Sequence, residues 1–274
     1  MLKEMIENVR KKTPLIHNIT NYVTVNDCAN ILLACGGSPI MADDSNEAEE
    51  ITTICGGLNI NIGTLNKNTI LSMILAGKKA NELSHPVILD PVGAGASTLR
   101  TSTANDLLKE INFSVIKGNI SEIKTLAVGS GTTKSVDADI ADKVTDENID
   151  DAVKFVKEFS AKTGAVIIVT GETDIIADSK KAYIVKNGHA MMSNITGTGC
   201  MLSAMTAAYI TANNDNMLEA CLASVCLMGY AGEIAYKKMI ETGAGNSTFR
   251  NYLIDTIFNL TGEEIEIGAK YESK

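Results

Sequence analysis

The sequence predicts an α/β fold of three layers, with a mostly parallel central sheet, an antiparallel edge and helices on both faces. Three observations point there. Short, continuously apolar runs alternate with segments of helical period over most of the chain. Runs of that length suit parallel strands covered on both sides. Strand–helix alternation implies right-handed crossovers returning to one sheet. After Thr170 the pattern changes to a hairpin and then to long apolar helices.

Taken in order, residues 1–12 form an amphipathic charged stretch with no apolar segment of the kind a secretion signal needs. Strands are expected at 38–42, 58–63, 86–90, 113–117 and 165–170, most of them bounded by Gly, Pro or Asp. Helices are expected at 68–83, 97–110 and from 149 to 159. In the last of these, Ile149, Ala152, Val153, Val156 and Phe159 share one face, with Asp150, Asp151, Lys154, Lys157 and Glu158 outside it. Segments 174–178 and 181–186 read as a hairpin across Ser179–Lys180, followed by a short run near His189. An antiparallel edge of this kind is common on mostly parallel sheets. The last third reads as helices at 200–211, 217–238 and 248–260. The first two are apolar nearly all round, which places them in the core or in a subunit interface. The polar tail, 263–274, is expected to fray. No repeat or linker interrupts the pattern, so one domain over 1–274 is expected.

Composition narrows the function. The chain has 274 residues, 45% apolar and 21% charged, as in ordinary globular proteins. Net charge is −9 with no basic stripe, which argues against nucleic-acid binding. A small anionic ligand stays compatible where dipoles, a metal or one or two cations receive it. Six cysteines, at 28, 35, 55, 200, 221 and 226, contain no C-x-x-C pair. Reduced thiols in the cytoplasm are therefore expected. The longest uncharged apolar run, 220–232, falls short of the roughly 20 residues of a membrane span.

The chemistry-bearing residues gather at strand ends. Asn194 to Cys200 holds closely spaced glycines just before an apolar helix. Converging backbone N–H groups and the helix dipole make such a corner attractive to anions; a plain strand-to-helix turn has the same composition. Cys200 stands at the start of that helix, where the dipole favours a thiolate able to meet a substrate hydroxyl, or where a small apolar residue merely fits. Asp90 ends a strand and opens Asp90–Ala96; a carboxylate there faces the ligand crevice of open α/β sheets and suits Mg²⁺, or caps the next turn. Lys117 ends the next strand. Glu122 either reciprocates a helix cap at Asn119 or holds a metal through water. Thr170 meets a phosphate or only terminates its strand. The three histidines, 17, 85 and 189, have no partners at metal spacing. Polar groups converging on one rim are what a ligand site looks like.

These segments resemble the hydroxyethylthiazole kinases, a branch of the ribokinase-like superfamily. The resemblance runs from about Thr13 to Leu260. It rests on His17–Val23, Gly37–Ala42, Asp90–Ala96, Gly118-Asn119 with Glu122, and Thr196–Cys200. It implies ATP-dependent phosphorylation of the hydroxyl of 4-methyl-5-(2-hydroxyethyl)thiazole, in thiamine synthesis and salvage. It also implies that Asp90 and Glu122 hold Mg²⁺, mainly through waters. Gly197, Thr198, Gly199 and the N–H of Cys200 would form an anion hole for the moving phosphoryl group, with Cys200 as the catalytic side chain. Lys117 and Thr170 would contact ATP phosphates, and Met41, Asn21, Val23 and Gly197 would line the thiazole pocket. A homotrimer sharing its active sites between neighbours is implied as well.

Three departures qualify the match. Lys117 replaces the usual Arg, exchanging a bidentate fork for a point charge. The loop 243–249 differs from the usual Gly-Pro-Gly-Ser-Phe form. Sugar and pyrimidine kinases of the superfamily carry Asp where Cys200 stands. That last difference disfavours the competing readings, which are a hydroxymethylpyrimidine or pyridoxal kinase and a repair enzyme for hydrated nicotinamide nucleotides. A non-catalytic thiazole or nucleotide sensor is the alternative from a different class.

Overall fold

The computed structural model describes residues 1–129, 144–145 and 147–274. Its elements run α1 Leu2–Lys12, β1 Leu15–Ile19, α2 Val25–Cys35, β2 Ser38–Met41, α3 Ala48–Ile54 and β3 Gly57–Asn61. Then follow α4 Lys67–Glu82, β4 Val87–Asp90, α5 Thr98–Glu110, β5 Val115–Asn119, α6 Ile120–Gly129 and α7 Ile149–Thr163. The last third holds β6 Val166–Thr170, β7 Asp174–Ala177, β8 Ala182–Val185, α8 Thr198–Ala212, α9 Met217–Thr242, α10 Asn246–Asn259, α11 Gly262–Gly268 and β9 Tyr271–Ser273.

The strands form one sheet in the order β2-β1-β3-β4-β5-β6-β7-β8-β9. Pairing is parallel from β2 through β6 and antiparallel from β6 to β9. Period-two alternation sends successive side chains to opposite faces. Val166 and Ile168 of β6 pack with α1, α2 and the α8–α10 helices, whereas Ile167 and Val169 pack with the helices α4–α7. Helices therefore cover both sides of the sheet, as the sequence predicts. The chain order reverses between β1 and β3, and ligands of open α/β sheets bind beyond the strand carboxyl ends at such a point.

Local chemistry sets the element ends. In α1, Leu2, Met5, Ile6 and Val9 recur at helical spacing and are buried, and Arg10, Lys11 and Lys12 complement the dipole in its last turn. Asn66 and Thr69 form a reciprocal box at the start of α4. The Ser97 hydroxyl caps α5.

Several expectations change. β1 is a strand that apolar runs do not reveal, because His17 and Asn18 interrupt it. Both are buried there and paired: the His17 ring meets the Thr52 hydroxyl and the Ala42 carbonyl, and Asn18 donates to the Ile16 carbonyl. Burial holds the His17 pKa below its ordinary value, so the ring is neutral at pH 7. The run near His189 is a 3₁₀ helix, Ala190–Asn194, because the His189 ring accepts the Met191 N–H at its start. The tail is not frayed. Thr261 and Glu264 cap α11 reciprocally, and β9 pairs with β8. Helix α9 reaches Thr242 rather than 238. By length and composition it could cross a membrane, yet most of it is buried between α8, α10 and the sheet, as a core helix is.

Candidate active site

Strand register delivers the site. Asn61 lies beside Asp90 at the carboxyl ends of β3 and β4, and Asn119 beside Thr170 at those of β5 and β6. The amino end of α8 closes the same rim. Together they bound an open cleft of about 460 Å³. Asn21, Val23 and Thr24 line it beyond β1, Gly63 beyond β3, and Asp90 and Val92 at the end of β4. The rest of the lining is Arg100, Lys117, Asn119, Glu122, Thr170, Thr196, Gly197, Gly199 and Cys200.

Gly197 is the residue before α8, with φ +91°. A side chain there would be strained and would strike Thr24, so glycine is required. Thr198, Gly199 and Cys200 then supply first-turn N–H groups that have no acceptor within the helix. The cysteine sulfur receives the amide nitrogens of Asn21 and Asn61, at 3.2 and 3.3 Å.

Asp90 is 1% exposed and Lys117 3%. One carboxylate oxygen of Asp90 accepts from Asn61 at 2.9 Å, Lys117 at 3.2 Å and the Ser203 hydroxyl at 2.6 Å. Lys117 also donates to the Gly199 carbonyl at 2.9 Å, tying the first turn of α8 to β4 and β5. Burial works against the lysine's charge, but the neighbouring Asp90 carboxylate, the Cys200 sulfur and Glu122 outweigh it and hold its pKa above the ordinary value. Lys117 is a cation at neutral pH.

Glu122 sits in the first turn of α6 and accepts the Gly93 N–H at 2.7 Å and the Asn119 N–H at 2.8 Å. The Asn119 side chain accepts the Glu122 N–H in return, which is the reciprocal cap. Burial raises the Glu122 pKa, with those two N–H groups and Lys117 opposing.

Of the residues expected from the sequence, Asn21, Val23, Asp90, Lys117, Glu122, Thr170, Gly197, Gly199 and Cys200 share the cleft. Two do not line it. Thr198 directs its hydroxyl to the Met192 carbonyl, leaving its backbone N–H as its part of the helix end. Met41 ends the edge strand β2, half-buried against the core. Five residues of the site are not anticipated: Thr24, Asn61, Gly63, Arg100 and Ser203. Arg100 joins two strand-end loops, donating to the carbonyls of Val92 and Gly63 at 2.8 and 2.7 Å. A polar residue inside an apolar strand is the signal that marks Asn61, and a lone serine on an apolar helix marks Ser203.

Relatives bear on this geometry. The profile of the Hydroxyethylthiazole kinase family matches residues 6–263. The hydroxyethylthiazole kinase of Clostridium acetobutylicum is 67% identical over 273 residues, covering 100% of both chains. A solved structure of the hydroxyethylthiazole kinase protein from Pyrococcus horikoshii matches with a TM-score of 0.88 at 34% identity, over 100% of this chain and 98% of that one. A pyridoxal kinase from Staphylococcus aureus, 14% identical over 95% of this chain and 97% of its own, shares the fold at a TM-score of 0.61. The architecture is thus ribokinase-like, and this chain is an enzyme belonging to the hydroxyethylthiazole kinase family.

Proposed function

We propose that this enzyme transfers the terminal phosphoryl group of ATP to the hydroxyl of 4-methyl-5-(2-hydroxyethyl)thiazole, serving thiamine diphosphate synthesis or salvage. The observation that carries this reading is a full-length family match in a chain whose α8 N-terminus opens onto the strand-end cleft. Phosphoryl transfer asks the protein for positioning and for neutralisation of charge on the equatorial oxygens. The N–H groups of Thr198, Gly199 and Cys200 meet the moving group. Lys117 and Thr170 face the phosphates. Asn21, Val23 and Gly197 bound the thiazole. Cys200 takes the hydroxyl proton late in the transfer.

The donor set fits Mg²⁺ bound together with a nucleotide. Among the described residues no cluster of three or more His, Cys, Asp or Glu could hold a metal unaided. Asp90 and Glu122 are hard oxygen donors on adjacent strand ends, and Mg²⁺ typically takes one or two carboxylates plus waters and phosphates. Both would hold it chiefly through waters, since each already accepts protein hydrogen bonds. Bound there, the ion supplies charge neutralisation.

Assembly as a homotrimer with shared sites belongs to the same reading. Supporting it, Tyr22 is 79% and Val23 55% exposed at the cleft mouth, although both are apolar. A cytoplasmic location accords with six free cysteines. The test is ADP release in the presence of the thiazole alcohol, pyridoxal, hydroxymethylpyrimidine and a hydrated nicotinamide nucleotide, with and without Mg²⁺. Turnover with the thiazole alone and only with Mg²⁺ is expected; preference for another acceptor overturns the reading. Activity should fall on dilution, and a fully active monomer by light scattering would remove the shared site.

A further inference from the structure

We propose that Asn61 is a positioning residue of this site, using its amide to hold the Cys200 sulfur and Asp90 in one hydrogen-bonded cluster. The orientation of the amide follows from its neighbours. The Gly63 backbone N–H can only donate, and it lies 2.9 Å from Asn61 Oδ1. That end is therefore oxygen, and Nδ2 faces Asp90 Oδ2 at 2.9 Å and Cys200 Sγ at 3.3 Å. Asn21 is fixed in the same way. Its Oδ1 accepts the Thr24 N–H at 3.1 Å and the Thr24 hydroxyl at 3.0 Å, so its Nδ2 faces Asn61 Oδ1 at 3.1 Å and Cys200 Sγ at 3.2 Å.

Two amide NH₂ groups thus converge on one sulfur. Asn61 is 1% exposed and uses both its hydrogens and both its acceptor positions. It has no spare capacity for water. A sulfur that accepts two N–H bonds is held in one place. Any proton it carries is turned away from the amides. Neither Asp nor Leu reproduces this arrangement. Asp keeps the acceptor for Gly63 and Asn21 but puts an oxygen against Asp90 and Cys200, and Leu loses both functions. A purely structural Asn61, ending β3 through its turn with Gly63, would need only the acceptor.

The kinetic consequence rests on the proposed role of Cys200; the chemical one does not. Iodoacetamide labelling of Cys200 in the full chain, followed by mass spectrometry of its peptide, should be tenfold or more slower in Asn61→Asp than in wild type, with the other cysteines unchanged. Equal labelling of Cys200 in the two folded proteins overturns the proposal. In the thiazole kinase assay, Asn61→Asp should lower kcat tenfold or more with KM within about threefold, and its cost should be at least threefold smaller in a Cys200→Ala background, where only the contact with Asp90 is left to lose. An equal loss in both backgrounds also overturns it, because Asn61 would then do nothing through the sulfur. If Asn61→Asp does not fold, Asn61→Ala is carried through both assays with the same expected directions. A wild type that phosphorylates no thiazole would sink the functional reading while the labelling test still decides this one.

Discussion

Two carboxylates stand one strand apart, and their surroundings differ in kind. Asp90 is fully buried and held by side chains from β3, β5 and α8, one of them a cation. Glu122 is half-buried and held by two backbone N–H groups from the loop after β4 and the end of β5. The first arrangement welds three elements together through charge. The second caps one helix and pins one loop. Both carboxylates are proposed to face the same metal, so changing each separates what the fold needs from what the chemistry needs.

Removing the Asp90 charge has the largest expected effect. Asp90→Asn leaves Lys117 buried without its ion-pair partner, and breaking a buried pair from one side costs about 3–5 kcal/mol. Denaturant titration should show that loss, and turnover should drop tenfold or more. Adding Lys117→Met should restore much of the stability and none of the turnover. A stability for Asp90→Asn within roughly 1 kcal/mol of wild type would mean the pair is not a weld.

Cys200, which both Asn21 and Asn61 address, comes next. Deleting the thiol leaves the α8 N–H groups in place, and a general base contributes about 10²–10⁴-fold. Cys200→Ala should therefore lose about 10²-fold in kcat and stay measurable, equivalent to about 2.7 kcal/mol of barrier. Cys200→Asp should retain or exceed wild-type turnover, because a carboxylate of similar size is ionised at neutral pH. Complete inactivity of a folded Cys200→Ala would show that the helix end is not the main contributor.

Glu122→Gln is milder still. Its amide can satisfy one of the two backbone N–H groups, so the cap weakens by about 1 kcal/mol. Turnover should fall about tenfold, or 1.4 kcal/mol. Unchanged kcat at saturating Mg·ATP would leave Glu122 as a cap and nothing more.

This contrast also sorts what the sequence makes legible. Apolar runs announce β3 through β6, because both faces of those strands are covered and each run is bounded by turn residues. They miss β1, whose His17 and Asn18 break the run while finding partners only in the folded chain. α11 and β9 escape because their helix cap and strand pairing satisfy backbone groups without burying much apolar surface. In the site, residues inside dense motifs such as Asp90, Cys200 and Glu122 are visible, and strand order brings them together. Asn61 and Ser203 stand outside any motif. Their roles come from a crossing of β3, β4 and α8 that no local spacing encodes. The Asp90–Lys117 pair is hidden for the same reason, since adjacent strands bring together residues 27 positions apart.

A third strand-end carboxylate sharpens the comparison and carries the smallest effect. Asp174 opens β7, across the hairpin from Thr170, and accepts one backbone N–H, that of Gly171, at 2.8 Å. Asp90 has three donors including a cation, and Glu122 has two. With so little to oppose it, burial pushes the Asp174 pKa up from 3.8 to about 7, while the Gly171 N–H and the more distant Lys117 charge pull the other way. Between these two values the folded protein binds more protons than the unfolded chain. Stability from this group is therefore fully present below about pH 4 and declines as pH rises towards 7. Asn at this position keeps the acceptor for Gly171 and never has to ionise. Asp174→Asn should thus gain on wild type as pH rises from 5 to 6, by about 1.3 kcal/mol, close to the ~1.4 kcal/mol that one pH unit is worth between the two pKa values. Parallel denaturant titrations of the two proteins across that range measure it. A constant difference would mean that Asp174 stays ionised throughout, and that one N–H with a distant lysine suffices where Asp90 recruits three donors.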